Sequence, residues 1–198
     1  MLQDVWIETT FGVVFGRTAG PDDGRLVLGL HGWSQRNGWH IWEPLMRPLG
    51  EAGFRVVSVD MPGWGQSKPV KPGPMRGDEA VTCMLQILDG LDAETAVLMG
   101  KSWGGGIAVK TAVTHPQRIS HLILTAPALR NLDRLRRLTQ PVLLAWAEDD
   151  LMIPFTYAAQ FAEAIPDCQL ETYPTGGHSA APKNAADFAP KAIEFLQV

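Results

Sequence analysis

The sequence predicts an α/β protein in which helices cover both faces of a mostly parallel central sheet. Two observations carry this prediction. Short apolar runs that suit strands alternate with longer segments that suit helices, which is the pattern of successive βαβ units. The middle runs are almost continuously apolar, as expected for strands that are buried on both faces of a sheet.

The first third of the chain begins with a predicted hairpin over residues 5–17, because two β-rich halves flank Gly12. A buried strand follows over 25–30 (RLVLGL) and ends at a His-Gly pair. Residues 39–52 have the length and composition of a helix. The apolar run 54–60 (FRVVSVD) predicts the next strand, and a loop rich in proline and glycine comes after it.

The middle third repeats this alternation. Residues 77–91 predict a helix and residues 96–99 a short apolar strand. A helix rich in glycine and alanine is predicted over 103–115, since Pro116 directly after it cannot continue a helix. Residues 119–125 (ISHLILT) predict another strand.

The last third starts with a short basic connection over 128–139 that is neither a strand nor a clear core helix. Residues 141–147 (PVLLAWA) predict a buried strand, and 155–164 a helix. A strand over 169–173 and a C-terminal helix over 183–196 complete the alternation.

Length and composition predict a single domain over residues 1–198, because 45% apolar residues can bury a sizeable core. The net charge of −4 gives no reason to expect binding to nucleic acid or to a membrane surface. The start of the chain lacks a signal-peptide pattern, and no apolar run reaches membrane-spanning length. Cys83 and Cys168 lie far apart and outside any C-x-x-C motif, so we expect reduced thiols in a cytoplasmic protein.

Residues 97–106 (VLMGKSWGGG) resemble two different motifs. A phosphate-binding loop would need a glycine where Thr95 stands, and the preceding residues suit a strand rather than a glycine loop. The G-x-S-x-G turn of a nucleophilic serine fits better, with Ser102 between Gly100 and Gly104 and a strand and a helix on either side. Such a motif arises by chance in roughly one of ten chains of this glycine content. The assignment of a nucleophile therefore depends on whether the chain also supplies the residues that would act with the serine.

A serine nucleophile needs a histidine base and a carboxylate that orients the histidine. Three acids, Glu148, Asp149 and Asp150, follow the strand over 141–147, and His178 follows the last predicted strand. This gives the chain order Ser, Asp, His at the carboxyl ends of strands, where open α/β sheets carry their sites. From the residues alone, either Asp149 or Asp150 could be the orienting acid.

The oxyanion of an acyl-transfer intermediate needs backbone donors. The strand over 25–30 ends in His31-Gly32-Trp33, a turn that can direct the Trp33 amide towards the reacting carbonyl. The Trp103 amide, directly after the serine, is the second candidate donor. We expect His31 itself to be a buried, hydrogen-bonded support of this turn.

Trp33, Trp39 and Trp64 are the candidate substrate-binding residues, because aromatic walls suit an acyl or aryl group. The alternative is that these tryptophans belong to the core. Lys101 is expected to point into a solvated salt bridge, without a catalytic role. The arginines between Arg130 and Arg137 suit either an anionic substrate or acyl carrier, or an ordinary solvated helix face.

Taken together, these segments resemble the α/β-hydrolase superfamily over nearly the whole chain. The resemblance implies a fold with a nucleophile turn and an Asp placed four residues before a proline, which favours Asp150 (before Pro154) over Asp149. The short connection over 128–139 makes the chain similar to small members that lack a helical lid. The segments that carry the resemblance are LHGW, VVSVDMPGWGQSKP with Asp60, Gly63, Gly65 and Ser67, VLMGKSWGG, AWAEDDLMIP and GGH.

The function predicted from these residues is hydrolysis of an ester, thioester or related acyl substrate by Ser102, His178 and Asp150. No metal or cofactor is expected, and the only expected partner is a small acyl substrate. Two alternatives stay open: an acyltransferase with the same triad, and a non-catalytic receptor or partner-binding protein that uses the fold alone.

Overall fold

The structure is a computed structural model that describes residues 2–71, 75, 77–129 and 131–197. One sheet of eight strands forms its centre. The strands are β1 (Gln3–Thr9), β2 (Gly12–Ala19), β3 (Leu26–Leu30), β4 (Arg55–Val59), β5 (Ala96–Lys101), β6 (Ile119–Thr125), β7 (Val142–Ala147) and β8 (Cys168–Tyr173).

The strands lie side by side in the order β1-β2-β4-β3-β5-β6-β7-β8. The hairpin of β1 and β2 is antiparallel and pairs antiparallel with β4, whereas β4 and the strands after it in this order are all parallel. The prediction of a mostly parallel sheet is therefore confirmed. Since parallel strands point the same way, the loops that follow β3, β4, β5, β7 and β8 all meet at one edge.

In the described part of the chain, six α-helices lie on the two faces of the sheet. Strand residues alternate between the two apolar layers, so Val97 and Met99 pack on one side and Leu98 on the other. The layer around α1, α5 and α6 covers one face, and the layer around α2, α3 and α4 covers the other. The helices are α1 (Glu43–Glu51), α2 (Gly77–Gly90), α3 (Trp103–Thr114), α4 (Thr156–Ala164), α5 (Ala180–Lys183) and α6 (Ala185–Gln197).

Two predicted helices each correspond to two successive helical segments in the structure. The helix expected over 39–52 starts as a 3-10 turn, Trp39–Trp42, before α1 begins. The helix expected over 183–196 is divided into α5 and α6 at Asn184. Its side-chain amide donates to Thr175 O and Ala180 O, both at 2.9 Å, and so binds the chain at the point where the two helices meet.

The connection between β6 and β7 carries no inserted helical domain in its described part, 126–129 and 131–141. It contains one 3-10 helix, Leu132–Arg137, whose Leu135 is buried in the apolar layer around α2, α3 and α4. The expected absence of a lid domain is therefore confirmed. Arg130 lies outside the described residues. Among the helices that are described, none is both long enough and apolar enough to cross a membrane.

Candidate active site

Ser102 occupies the sharp turn between β5 and α3. Its backbone has φ 51° and ψ −116°, a conformation that residues other than glycine rarely adopt. Keeping a residue there costs on the order of 1–3 kcal/mol, so the surrounding structure must hold it. Ser102 N donates to Thr125 O at 3.0 Å, and Ser102 O accepts from Gly106 N and Ala128 N at 3.0 and 2.8 Å. The turn is thus fixed on both sides of the serine.

Gly100 and Gly104 allow β5 and α3 to approach each other at this turn. A Cβ atom on Gly100 would lie 2.6 Å from Gly105 Cα, and one on Gly104 would lie 2.5 Å from His31 O. Both positions would collide with backbone, which cannot rotate away as a side chain can. The glycines of the G-x-S-x-G pattern are therefore required by close packing as well as by the shape of the turn.

His178 and Asp150 form a hydrogen-bonded pair at the carboxyl edge of the sheet. His178 Nδ1 lies 2.9 Å from Asp150 Oδ2, and His178 belongs to a 3-10 turn, Gly177–Ser179, after β8. Because a carboxylate only accepts, Nδ1 carries the proton, and Nε2 keeps a free lone pair. This tautomer is the one that a general base needs.

The Asp150 carboxylate is enclosed, with its side chain fully buried. Its Oδ1 accepts from Met152 N at 2.8 Å and from Ile153 N at 3.0 Å. Two backbone amides and one imidazole therefore satisfy the acid. A carboxylate held in this way orients the histidine ring without needing solvent.

Asp149, the alternative acid in the sequence, has a different contact. It is exposed, and its Oδ1 accepts from Gly177 N at 2.6 Å. Asp149 thus binds the backbone directly before His178, while Asp150 binds the imidazole. The four-residue spacing to Pro154, which favoured Asp150, agrees with this geometry.

Ser102 Oγ and His178 form no hydrogen bond with each other within the described chain. Such bonds are often long in unliganded sites and shorten when substrate binds. Thr125, at the end of β6, links the two sides of the site: its carbonyl accepts from Ser102 N at 3.0 Å, and its Oγ1 accepts from Ala181 N at 3.2 Å. No motif in the sequence points to Thr125, although a polar residue at the buried end of a strand is a usable signal.

The amides of Trp33 and Trp103 are both available as donors. Neither donates to an acceptor in the part of the chain that is described. A Cβ atom on Gly32 would lie 3.4 Å from Ser102 Cβ, so the turn that carries the Trp33 amide lies close to the serine. Oxyanion stabilisation requires backbone donors of this kind beside the nucleophile, so the two amides remain the candidate donors.

His31 is a buried support of the Trp33 turn. It is fully buried; its Nδ1 donates to Gly32 O at 2.7 Å, and its Nε2 accepts from Met61 N at 3.0 Å. Burial lowers the pKa of His31 to about 4, so the ring is neutral at pH 7. Because Gly32 O and the Trp33 N–H belong to one planar peptide group, the imidazole also sets the direction of that N–H.

The three candidate substrate-binding tryptophans have different surroundings. Trp33 is 46% exposed and contacts the Trp103 ring, so it is available to a ligand. Trp39 is partly buried, and the Arg17 guanidinium lies 4.9 Å from its ring centroid. Trp64 is only 2% exposed and its indole is covered by protein, which favours the alternative of a core position over the predicted contact with substrate.

Lys101 departs from the expected solvated salt bridge. It is 7% exposed and forms no ion pair with any described acid. Burial, and next the charge of Lys183, lower the pKa of Lys101, while the charge of Asp150 acts in the opposite direction. In the basic connection, Arg136 pairs with Asp133 at 2.8 Å on the surface, which agrees with a solvated face.

A protein-family model described as the alpha/beta hydrolase fold matches residues 25–137. A curated relative, the 2-hydroxy-6-oxononadienedioate/2-hydroxy-6-oxononatrienedioate hydrolase of Cupriavidus pinatubonensis, is 25% identical over 248 residues, covering 86% of each chain. That alignment is longer than this chain, so the relative has residues without a counterpart here. Further curated relatives are 33–36% identical over 50–53% of this chain, but the chain spans only 34–36% of their length.

Solved structures give the same result for the fold. A serine hydrolase from Cycloclasticus zankles has a TM-score of 0.90 at 18% identity, covering 100% of this chain and 98% of its own. A carboxylesterase from Bacillus subtilis has a TM-score of 0.88 at 18% identity, covering 99% and 92% of the two chains. At these identities the likeness is one of fold. The names of the relatives and of these structures agree in one respect, which is hydrolysis.

Proposed function

This chain belongs to the α/β-hydrolase family, and from that premise we propose that it is a serine hydrolase that cleaves an ester or thioester through an acyl-enzyme. The observation that carries the proposal is that two features lie at the same edge of the sheet. These are the strained Ser102 turn, near which the Trp33 and Trp103 amides have no acceptor among the described residues, and the Asp150–His178 pair with its 2.9 Å hydrogen bond. Nucleophile, base and oxyanion donors are the parts that acyl transfer requires.

In the proposed reaction, Ser102 Oγ attacks the substrate carbonyl while His178 Nε2 accepts the hydroxyl proton. Asp150 stays ionised and stabilises the imidazolium that forms. The amides of Trp33 and Trp103 donate to the oxyanion. The leaving group takes the proton from His178, and water then hydrolyses the acyl-enzyme by the same steps in reverse order.

The acyl group is expected to be apolar. Leu151 and Met152 follow Asp150 directly and are 96% and 73% exposed, and Trp33, after β3 at the same edge of the sheet, is 46% exposed. Exposed apolar side chains beside a site favour an apolar ligand, because binding removes their surface from water. A series of p-nitrophenyl esters should therefore show kcat/KM rising with acyl chain length from acetate.

The test is labelling with a fluorophosphonate probe combined with ester hydrolysis. We expect the wild type to be labelled and Ser102→Ala to be unlabelled, with kcat reduced at least about 10³-fold. Ser120→Ala is the matched control, since Ser120 lies on β6 and donates only to Ala96 O. An unlabelled wild type, or full activity in Ser102→Ala, would contradict the proposal. Product analysis with coenzyme A present separates hydrolysis from acyl transfer to a thiol.

The curated relatives give a second candidate, because the relative that is matched over 86% of both chains is named for hydrolysis of a hydroxy-oxo dicarboxylate. Attack on a ketone carbonyl would develop an oxyanion at the same two amides. Hydrolysis of 2-hydroxy-6-oxo dicarboxylates without hydrolysis of esters would favour this candidate over the first. Labelling of Ser102 alone does not separate them, so both substrate classes belong in one assay panel.

A further inference from the structure

Three tryptophans form a cluster beside the Ser102 turn: Trp33, Trp64 and Trp103, here called the tryptophan cluster. The ring centroids of Trp64 and Trp103 lie 5.1 Å apart with planes 25° from parallel. Trp33 meets both edge-on, at 5.2 and 5.4 Å. Trp33 follows β3, Trp64 follows β4 and Trp103 follows β5. In the sheet, β3 lies between β4 and β5. The cluster therefore joins the ends of three adjacent strands.

Trp64 is the buried centre of this cluster. It is 2% exposed, and its Nε1 donates to Trp33 O at 3.0 Å. Its ring also lies 5.3 Å from the His31 ring. One side chain thus contacts both residues whose amides are the candidate oxyanion donors, and also the imidazole that supports one of them.

The backbone of Trp64 is itself well anchored. Trp64 N donates to Met61 O at 2.9 Å, and Trp64 O accepts from Ser67 N at 3.0 Å. Ser67 Oγ in turn donates to Asp60 O at 2.5 Å. A side chain on so constrained a loop can fix the position of its neighbours instead of following their movement.

The effect on the Trp33 amide follows from the two peptide groups around it. His31 Nδ1 holds Gly32 O, and Trp64 Nε1 holds Trp33 O. With the carbonyls on both sides of Trp33 bound, the backbone dihedrals of Trp33 are confined. The direction of its N–H is then fixed before any substrate arrives.

We propose that Trp64 is a positioning residue for the oxyanion site: its indole holds the Trp33 and Trp103 amides at the separation that the tetrahedral intermediate requires. The inference rests on the proposed function, since it concerns the same two donors. Oxyanion donors act mainly on the transition state, so their misplacement lowers kcat and leaves KM nearly unchanged. A merely structural role for Trp64 would lower stability without this split.

The test is Trp64→Phe, which keeps an aromatic ring and removes the Nε1 donor. A net hydrogen bond of ordinary strength corresponds to a rate factor of about five, so we expect kcat to fall about five-fold with KM within about two-fold. An arylboronic acid, which forms a tetrahedral adduct on Ser102, should bind more weakly by a similar factor. Trp6→Phe is the matched control, because Trp6 is 56% exposed on β1 and should change neither quantity.

Unchanged kcat and boronate affinity in a folded Trp64→Phe variant would overturn the proposal, and so would a change in KM alone, which would make Trp64 a substrate contact. If Trp64→Phe shows no cooperative unfolding transition, Trp103→Leu replaces it, since it keeps the amide and removes the stacked ring. A folded Trp103→Leu variant with unchanged kcat would equally overturn the proposal. Failure of the proposed function is recognised separately, by a wild type that the fluorophosphonate does not label.

Discussion

Asp149 Oδ1 accepts a hydrogen bond of 2.6 Å from Gly177 N, one residue before the histidine that pairs with Asp150. The loop after β7 therefore binds the loop after β8 through two hydrogen bonds. Asp149 accepts one from a backbone amide, and Asp150 accepts the other from the His178 imidazole. A catalytic imidazole must stay within a few tenths of an ångström of its working position. Asp149 holds the backbone directly before His178, whereas Asp150 holds the imidazole ring.

The first prediction concerns Asp149. In Asp149→Ala, the Gly177 amide loses its acceptor and the histidine loop gains freedom, so we expect kcat to fall about three- to ten-fold. Asp149→Asn keeps an acceptor oxygen and should recover most of that loss. Kinetics with a p-nitrophenyl ester measure both variants. Glu148→Gln, an exposed neighbour, is the control, and equal kcat in all four proteins would show that the Gly177 contact has no effect on catalysis.

The second prediction concerns Asp150. In Asp150→Asn the negative charge is lost and an amide faces His178 Nδ1, which favours the wrong imidazole tautomer. We expect kcat to fall about 10³- to 10⁴-fold. The two backbone donors to Oδ1 keep an acceptor, so circular dichroism should stay native. A loss under ten-fold in a folded variant would assign the orienting role to another acid.

The order of the elements and the candidate triad could be predicted from the sequence because each depends on local pattern. A strand such as β7 is a continuous apolar run, and Ser102 lies between glycines at the spacing of a nucleophile turn, with a strand before it and a helix after it. The preference for Asp150 over Asp149 came from its spacing to Pro154 in the family pattern, and the hydrogen bond to His178 agrees with it.

The surroundings of Trp64 and Lys101 could not be predicted in the same way. Trp64 belongs to a loop, and its burial depends on where the loops after β3 and β5 happen to lie. Lys101 was expected in solvent because lysines are mostly exposed. It is buried because it is the last residue of a strand that is covered on both faces. Both positions are set by tertiary contacts that have no local signal.

The third prediction concerns the close approach of β5 and α3. A Cβ atom on Gly100 would lie 2.6 Å from Gly105 Cα, so Gly100→Ala must push backbone apart, and we expect a loss of about 2 kcal/mol in the free energy of unfolding. Gly77→Ala is the matched control: its nearest neighbour is the flexible end of Lys110, at 3.5 Å. Urea unfolding compares the two. Equal stabilities would show that the strand and helix can separate at little cost.

The fourth prediction concerns acid stability. Burial lowers the pKa of His31 to about 4 in the folded chain, from 6.5 in the unfolded one. Between these values the unfolded chain binds a proton here that the folded chain does not, so stability is full above pH 6.5 and falls as the pH drops towards 4. The contribution of His31 to this loss is about 3 kcal/mol. Urea unfolding at pH 4, 5.5 and 7 should show a shallower decline in His31→Gln; parallel curves would mean that His31 is not the group responsible.

The fifth prediction concerns Lys101, a cation that is 7% exposed and has no ion-pair partner among the described acids. Taking a charge out of water costs free energy that only a well-placed partner returns, so an apolar side chain of similar length should fit this position better. We expect Lys101→Met to raise the free energy of unfolding by about 1 kcal/mol at pH 7. Lys68→Met, at an exposed lysine, should change it by less than about 0.5 kcal/mol. A less stable Lys101→Met variant would instead mean that the ammonium has a favourable interaction in the folded chain, and the charge of Asp150 would be its source.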